Sequence, residues 1–481
     1  MKKIRILFCL AIAMVSGNTV YSQQMNSSIN VSIHNIDDFG QHPPANQVYP
    51  LVVEVEQTIK LKNFPHDTLL LFLEKGDYNS MFKSIFFQDF IVVVKDKKKY
   101  KPVSFSFDDK RLTIFLNKKK CNVKINYYFQ SDFGFNCESN TAIYFLPFIS
   151  KWHSWYFTNS DIEVNNVKFS IPDNQYFFCN KPVEQNLTDY KLATNINNDI
   201  SFYLYNKAYY ETTSFTDNNI NVNLFLTNEI RIDTIKKEVC GREKDSIIVS
   251  PHKRVSTDLI LKSKTNVYKA LNSLVSIFKG SYPDEINIID AALILYGDEE
   301  GENFAWGSTT EMNDNQYFVL IDTSFWNNNS LTHELIHIFN NIEPEKGDSS
   351  YYFFNESMVE YLSVILMHDD STKIEEVFNK KYDYFNNQEL KGKYCKSIFN
   401  ISENVTSLGD VSGTSTTIYH KTPYLIYRLS IQVGLQKFMF LLQELYSYAY
   451  VKNSISFEDF EFIMKTNGVT QIQWDAFLED L

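Results

Sequence analysis

Two histidines stand four residues apart in Thr332-His333-Glu334-Leu335-Ile336-His337, with a glutamate directly after the first. Residues four apart share one face of a helix, so both imidazoles can reach a single metal ion. Glu334 lies beside that face without sharing the metal, where a carboxylate can take a proton from water. Ser330 is a candidate helix N-cap, and Pro344 limits how far the helix runs. The chemistry this predicts is hydrolysis by an activated water, with the metal as Lewis acid and Glu334 as general base. Two unrelated helix histidines are the competing explanation, because so short a pattern recurs by chance. That explanation weakens because the chain holds only nine histidines, and His34, His42, His66, His153, His252, His368 and His420 show no ligand spacing.

A third ligand stands where one is needed. Phe353-Phe354-Asn355-Glu356 opens or continues a second helix, with Met358, Tyr361, Leu362 and Ile365 as its apolar stripe. A carboxylate against such a stripe is costly unless it is paired or bound to metal. Two histidines and one glutamate with an open fourth position make a catalytic zinc set, whereas a structural site fills all four positions with protein. The expectation is one zinc ion per chain, held by His333, His337 and Glu356. Glu360, one turn further on, is a candidate to orient a ligand histidine.

Eighteen residues separate His337 from Glu356, and the glutamate sits in Asn355-Glu356-Ser357-Met358-Val359-Glu360-Tyr361. This HELIH-x18-E spacing resembles the gluzincin alanyl-aminopeptidase family, whose third ligand lies in an Asn-Glu-Gly context; Ser357 replaces that glycine. Tyr419-His420-Lys421-Thr422-Pro423 resembles the family's Tyr-x-Lys-Gly segment. The resemblance gives Tyr419 the role of hydrogen-bond donor to the oxyanion, with Tyr424 and Tyr427 as fallbacks. Tyr144 to Pro147 before Trp152, and Ser456 to Phe460 with Trp474 and Phe477, are similar to segments of the family's two domains. The implied fold is a saddle-like β domain followed by a thermolysin-like catalytic domain. Trp306-Gly307-Ser308-Thr309-Thr310-Glu311 stands for the family's Gly-x-Met-Glu-Asn strand, whose glutamate grips a free amino group. Gly307 fits, Thr310 stands at the glutamate position, and Glu311 is one residue off, which on a regular strand faces the other side. Gly307 and Glu311 are therefore the candidate substrate-binding residues, Glu311 only with a bulge to turn it.

The elements around these residues read as α+β, a β-rich first half before a mostly helical second. From Val53 to Leu61, apolar Val53, Val55, Ile59 and Leu61 alternate with Glu54, Glu56 and Lys60, the period of a strand buried on one face. Similar runs recur at Leu112 to Leu116, Val123 to Phe129, Val167 to Ile171 and Ile220 to Leu226. A polar stretch from Gly241 to Thr257 separates the halves, giving domains at 23–250 and 251–481. Beyond it, Thr265 to Phe278 reads as a helix. Ile286 to Ile289, Ala291 to Tyr296 and Tyr317 to Ile321 read as strands, with helices from Leu331 onward.

Residues 1–22 read as a secretory signal, with Lys2, Lys3 and Arg5 before apolar Ile6 to Val15 and cleavage near Ser22. That apolar run is too short to anchor in a bilayer, so a periplasmic or extracellular protein without stable membrane insertion is expected. Five cysteines remain, Cys121, Cys137, Cys179, Cys240 and Cys395, an odd number whose pairing stays open. A net charge of −12 argues against a nucleic-acid partner. The expected partner is a peptide or protein substrate. Three readings follow: an aminopeptidase, an endopeptidase or narrow-specificity peptidase without the amino-terminal anchor, and a catalytically silent peptide-binding protein on the same scaffold.

Overall fold

The computed structural model describes residues 25–35, 51–62, 64–72, 85–96, 98–108, 111–116, 121–131, 148–149, 156–159, 161–179, 181–186, 188–192, 200, 202–239, 242–278, 280, 282–290, 307–313, 315–321, 329–340, 342, 344, 350–390, 397–401 and 414–481. The leader 1–22, the segment from Tyr144 to Trp152 except Phe148–Ile149, the strand expected at 291–296, and Cys137, Cys240 and Cys395 lie outside them. Cys121 and Cys179 are both buried.

The first half is built on an eight-stranded sheet with Leu51–Leu61 near its centre. That strand pairs antiparallel with Met25–Asn35 on one side and with Cys121–Ser131 on the other. Its alternation works as expected: Val53, Val55, Ile59 and Leu61 are buried, and Glu54 and Glu56 are half-exposed. Gln57 occupies the same inward parity as the valines and is fully buried. Its amide donates to Ser27 Oγ (3.1 Å) and to the Phe157 carbonyl (2.6 Å), and its oxygen accepts from the Phe157 N–H (3.1 Å).

The second half carries a five-stranded sheet in the order Tyr210–Asp217, Ile220–Thr227, Glu285–Asp290, Gln316–Ile321, Gly307–Asn313. The three inner strands are parallel to one another, and the two outer ones antiparallel to their neighbours. Ile220–Thr227 thus packs with the second half, although it lies before residue 250; a period of two identifies a strand and not its sheet. The polar stretch after Gly241 contains Arg242–Lys253, which pairs with Glu229–Val239 as a two-stranded ribbon.

Helix α1 (Thr257–Ile277) starts eight residues before the apolar pattern at Thr265, because Ser256 caps it by accepting from the Leu259 N–H. The remaining helices are α2 (Ser330–Phe339), α3 (Met358–Met367), α4 (Ser371–Leu390), α5 (Thr422–Val433), α6 (Leu435–Lys452), α7 (Phe457–Thr466) and α8 (Gln471–Asp480). The molecule is α+β, with two separate apolar cores: one under the first sheet, the other between the second sheet and the helices. Among the described residues no single helix is long and apolar enough to cross a membrane. One bent pair, Thr414–Val433 with Leu435–Lys452, passes on length and composition, and both members contribute buried residues to the second core.

Candidate active site

Helix α2 supplies the two histidines. Ser330 is its first residue and not its cap; Asn329 holds the cap position without a side-chain hydrogen bond. Leu331, Leu335, Ile336 and Ile338 pack the helix into the core. The histidine face is turned to the site, where the two rings approach with centroids 4.9 Å apart.

Glu356 and Tyr419 each sit on a single wide turn of π-helix, Phe353–Ser357 before α3 and Thr417–Lys421 before α5. In each the closing bond spans five residues, Met358 N–H to the Phe353 carbonyl and Thr422 N–H to the Thr417 carbonyl. Such turns recur at functional sites because the added residue re-aims side chains without ending the helix. Phe353 and Phe354 stay in the core, their rings against Phe457 and Phe460, while Glu356 reaches the histidines. Pro423 explains part of the second turn. It has no N–H to offer the Tyr419 carbonyl four residues before it or the Ile418 carbonyl five before it. Side chains take its place: Ser357 Oγ donates to the Ile418 carbonyl (2.8 Å) and Lys381 Nζ to the Tyr419 carbonyl (3.0 Å).

The ligand atoms of His333, His337 and Glu356 all lie within 4.8 Å of one another, the one such cluster among the described residues. Glu356 Oε2 stands 3.4 Å from His333 Nε2 and 3.8 Å from His337 Nε2. Donors about 2.1 Å from a tetrahedral zinc lie roughly 3.4 Å apart, so the set fits that ion. The field also suits a cation. Burial works against a charged His333, but hydrogen bonds to Glu356 and Glu360 outweigh it and raise its pKa to about 10. His337, buried and facing the charge of His333, is lowered to about 4. Glu356 is held below the usual carboxylate range; burial opposes this, and the His333 hydrogen bond and both imidazoles prevail.

Around the cluster, Glu360 Oε2 lies 2.9 Å from His333 Nδ1, and its other oxygen pairs with Lys381 at 2.5 Å. Glu334 is 8% exposed, and its carboxylate takes a hydrogen bond from Thr309 Oγ1 at 2.8 Å. Burial pushes its pKa up to about 7 against the opposing pull of His333 and Thr309. Tyr419 donates to Glu356 Oε2 at 3.0 Å. Burial and the Glu356 charge hold its phenol well above the ordinary tyrosine range, so it stays a neutral donor. Tyr424 and Tyr427 pack elsewhere, against Tyr382 and Phe378. His420 is half-buried and stacked on Tyr384.

Gly307 and Glu311 lie on the edge strand of the second sheet, and their side-chain surroundings are outside the described ones. The register runs unbroken from Gly307 to Glu311 and shifts only after it. No bulge therefore precedes Glu311 on this strand. Thr309, Ser357 and Lys381 were not singled out for the site from the sequence. Pro423, following a tyrosine segment by a few residues, was the one visible sign that a carbonyl there needed a side-chain partner.

No family model matches the chain, and no curated protein is significantly similar to it. Solved structures are. An aminopeptidase N family protein from Idiomarina loihiensis is 12% identical over 94% of this chain and 75% of its own, with a TM-score of 0.58. An M1 zinc metallopeptidase mutant from Deinococcus radiodurans, bound to a Tyr-Ser-Ala substrate, is 10% identical over 94% and 92%, with a TM-score of 0.44. Legionella pneumophila aminopeptidase A in complex with aspartic acid is 9% identical over 94% and 48%, with a TM-score of 0.43. In its fold, this chain belongs with the Idiomarina aminopeptidase N family protein.

Proposed function

We propose that this chain is an exported zinc-dependent metallopeptidase of the gluzincin aminopeptidase family. The observation that carries the reading is the convergence of three zinc-spaced donors with a buried carboxylate and a neutral phenol at one site. A zinc ion held by His333, His337 and Glu356 would polarise the scissile carbonyl and acidify water. Glu334 then takes the proton of the attacking water and delivers it to the leaving nitrogen. Tyr419 donates to the carbonyl oxygen as negative charge develops there. Glu360 fixes the ring of His333, and Thr309 holds the Glu334 carboxylate. The strand Gly307–Asn313, at the edge of its sheet among the described residues, would pair with an extended peptide. The likeness of fold to the Idiomarina aminopeptidase N family protein favours an aminopeptidase over an endopeptidase. Export rests on the sequence of residues 1–22.

The test is the metal content of the mature protein and of Glu356→Ala, with hydrolysis of free-amine and N-blocked peptides before and after chelation. One zinc per chain in the parent, its loss in the variant, and chelator-sensitive cleavage of free-amine peptides are expected. Cleavage of N-blocked peptides as fast as free ones would remove the aminopeptidase assignment. Zinc with no cleavage of either would leave a peptide-binding protein, and no metal at all would overturn the reading.

A further inference from the structure

We propose that Lys381 is a positioning residue that locks the first zinc-ligand histidine and the Tyr419 donor into one arrangement; this rests on the metallopeptidase reading. Lys381 comes from the middle of α4, a helix that supplies no metal ligand, and its side chain is only 12% exposed. Its ammonium makes two contacts of different kinds. One is an ion pair with Glu360, whose other oxygen meets Nδ1 of His333. The second is a hydrogen bond to the main-chain carbonyl of Tyr419.

Both contacts answer a local deficit. Glu360 is a carboxylate only 16% exposed, and its two oxygens are divided between Lys381 Nζ and His333 Nδ1. Glu360 accepts from Nδ1–H of His333 at 2.9 Å, which fixes the ring and leaves Nε2 as the metal-facing atom. The Tyr419 carbonyl lies four residues before Pro423 and so lacks the α-helical donor that any other residue there would give. Lys381 supplies that donor, and Ser357 does the same for the Ile418 carbonyl one residue earlier. The π turn of Tyr419 is thereby pinned from two sides, by the turn that carries Glu356 and by the cation that braces His333. Moving Lys381 would loosen the histidine and the phenol together.

The experiment is Lys381→Met, which keeps the aliphatic stem and removes the charge and its protons. It is assayed alone and in a Tyr419→Phe background, with zinc affinity measured by chelator competition. Expected are a kcat about 10- to 100-fold lower with KM within a few-fold, and zinc held roughly 10-fold more weakly. In the Tyr419→Phe background the same substitution should cost clearly less kcat than in the parent, because the share that acts through the phenol is already gone, while the weaker zinc binding through His333 persists. A parent-like kcat and zinc affinity, or kcat losses that multiply in the double variant, would overturn the proposal. Should Lys381→Met fail to fold, Ser357→Ala tests the same pinning: a several-fold loss of kcat that disappears in the Tyr419→Phe background supports it, and an unchanged kcat refutes it. If the parent hydrolyses no peptide, the metallopeptidase reading fails by itself, and zinc affinity still decides the link from Lys381 to His333.

Discussion

The Thr309 hydroxyl has one proton and two acceptors in reach, the carboxylate and the main-chain carbonyl of Glu334, at 2.8 and 3.0 Å. A threonine is stiff at χ1, so this oxygen is a fixed peg for a carboxylate that must otherwise be placed by its own flexible stem. Thr309→Val keeps the shape and removes the peg. We expect kcat to fall roughly 10-fold with zinc content unchanged, as positioning within the site is lost, and Thr309→Ser to restore most of it. Parent-like turnover in the valine variant would show that Glu334 needs no anchor. Glu334, His333 and His337 were legible in the sequence because a four-residue spacing on one helix is local information. Thr309 was not, since a threonine on a strand twenty-five residues from its partner looks like any other. Lys381 and Ser357 were hidden for the same reason: each donates to a main-chain carbonyl, which carries no sequence signature, and the other acceptor of Lys381, Glu360, lies twenty-one residues away.

At the scale of elements, Gln57 joins the central strand of the first sheet to the segment 156–159, a piece of chain with little regular pairing of its own. Replacing it with leucine keeps the volume and takes away both partners that the amide gives the Phe157 main chain. Each such buried group costs about 1–3 kcal/mol when its partner is removed, so Gln57→Leu should lower stability by about 2–4 kcal/mol in urea denaturation. A loss under about 1 kcal/mol would mean that this segment is held well enough without the amide, by the main-chain pair of Thr158 with Phe72 and by the ring of Phe157 against Phe90, Phe107 and Tyr127. The strand itself was readable from its alternation, in which Gln57 is the one polar residue at an inward position. Helix boundaries were less so: α1 begins at its Ser256 cap, well before its apolar face does.

For the molecule as a whole, aromatic rings join the two halves among the described residues. Phe178 lies 5.5 Å from both Phe225 and Phe318, and Tyr176 lies 5.1 Å from Phe225. The described buried residues form two separate clusters, which favours separate unfolding of the two cores. Calorimetry should resolve two transitions, and chelation should lower only the one that belongs to the helical half, because zinc stabilises only what it binds. At a hundred times its dissociation constant a ligand contributes about 2.7 kcal/mol, a shift well within reach of the method. One transition that moves as a unit would show that these rings transmit the whole stability of each half to the other. The α+β class was readable from the change of period along the chain. The pairing of Ile220–Thr227 with the second sheet was not, because strand partners are chosen at long range.

The wide turn at Phe353–Ser357 is, in effect, an α-helix with one residue more than its hydrogen bonds require. One helical residue corresponds to about 100° of rotation. Deleting any one of residues 353 to 355 would let the helix regain ordinary pairing, and would also swing Glu356 about a quarter-turn from the histidines. The eighteen-residue interval between His337 and Glu356 is thus a length on which helix regularity and metal binding pull in opposite directions. A lineage that shortened it by one would gain a better helix and lose its metal set, and single-residue deletions should be tolerated in α4 beyond Lys381 before they are tolerated there.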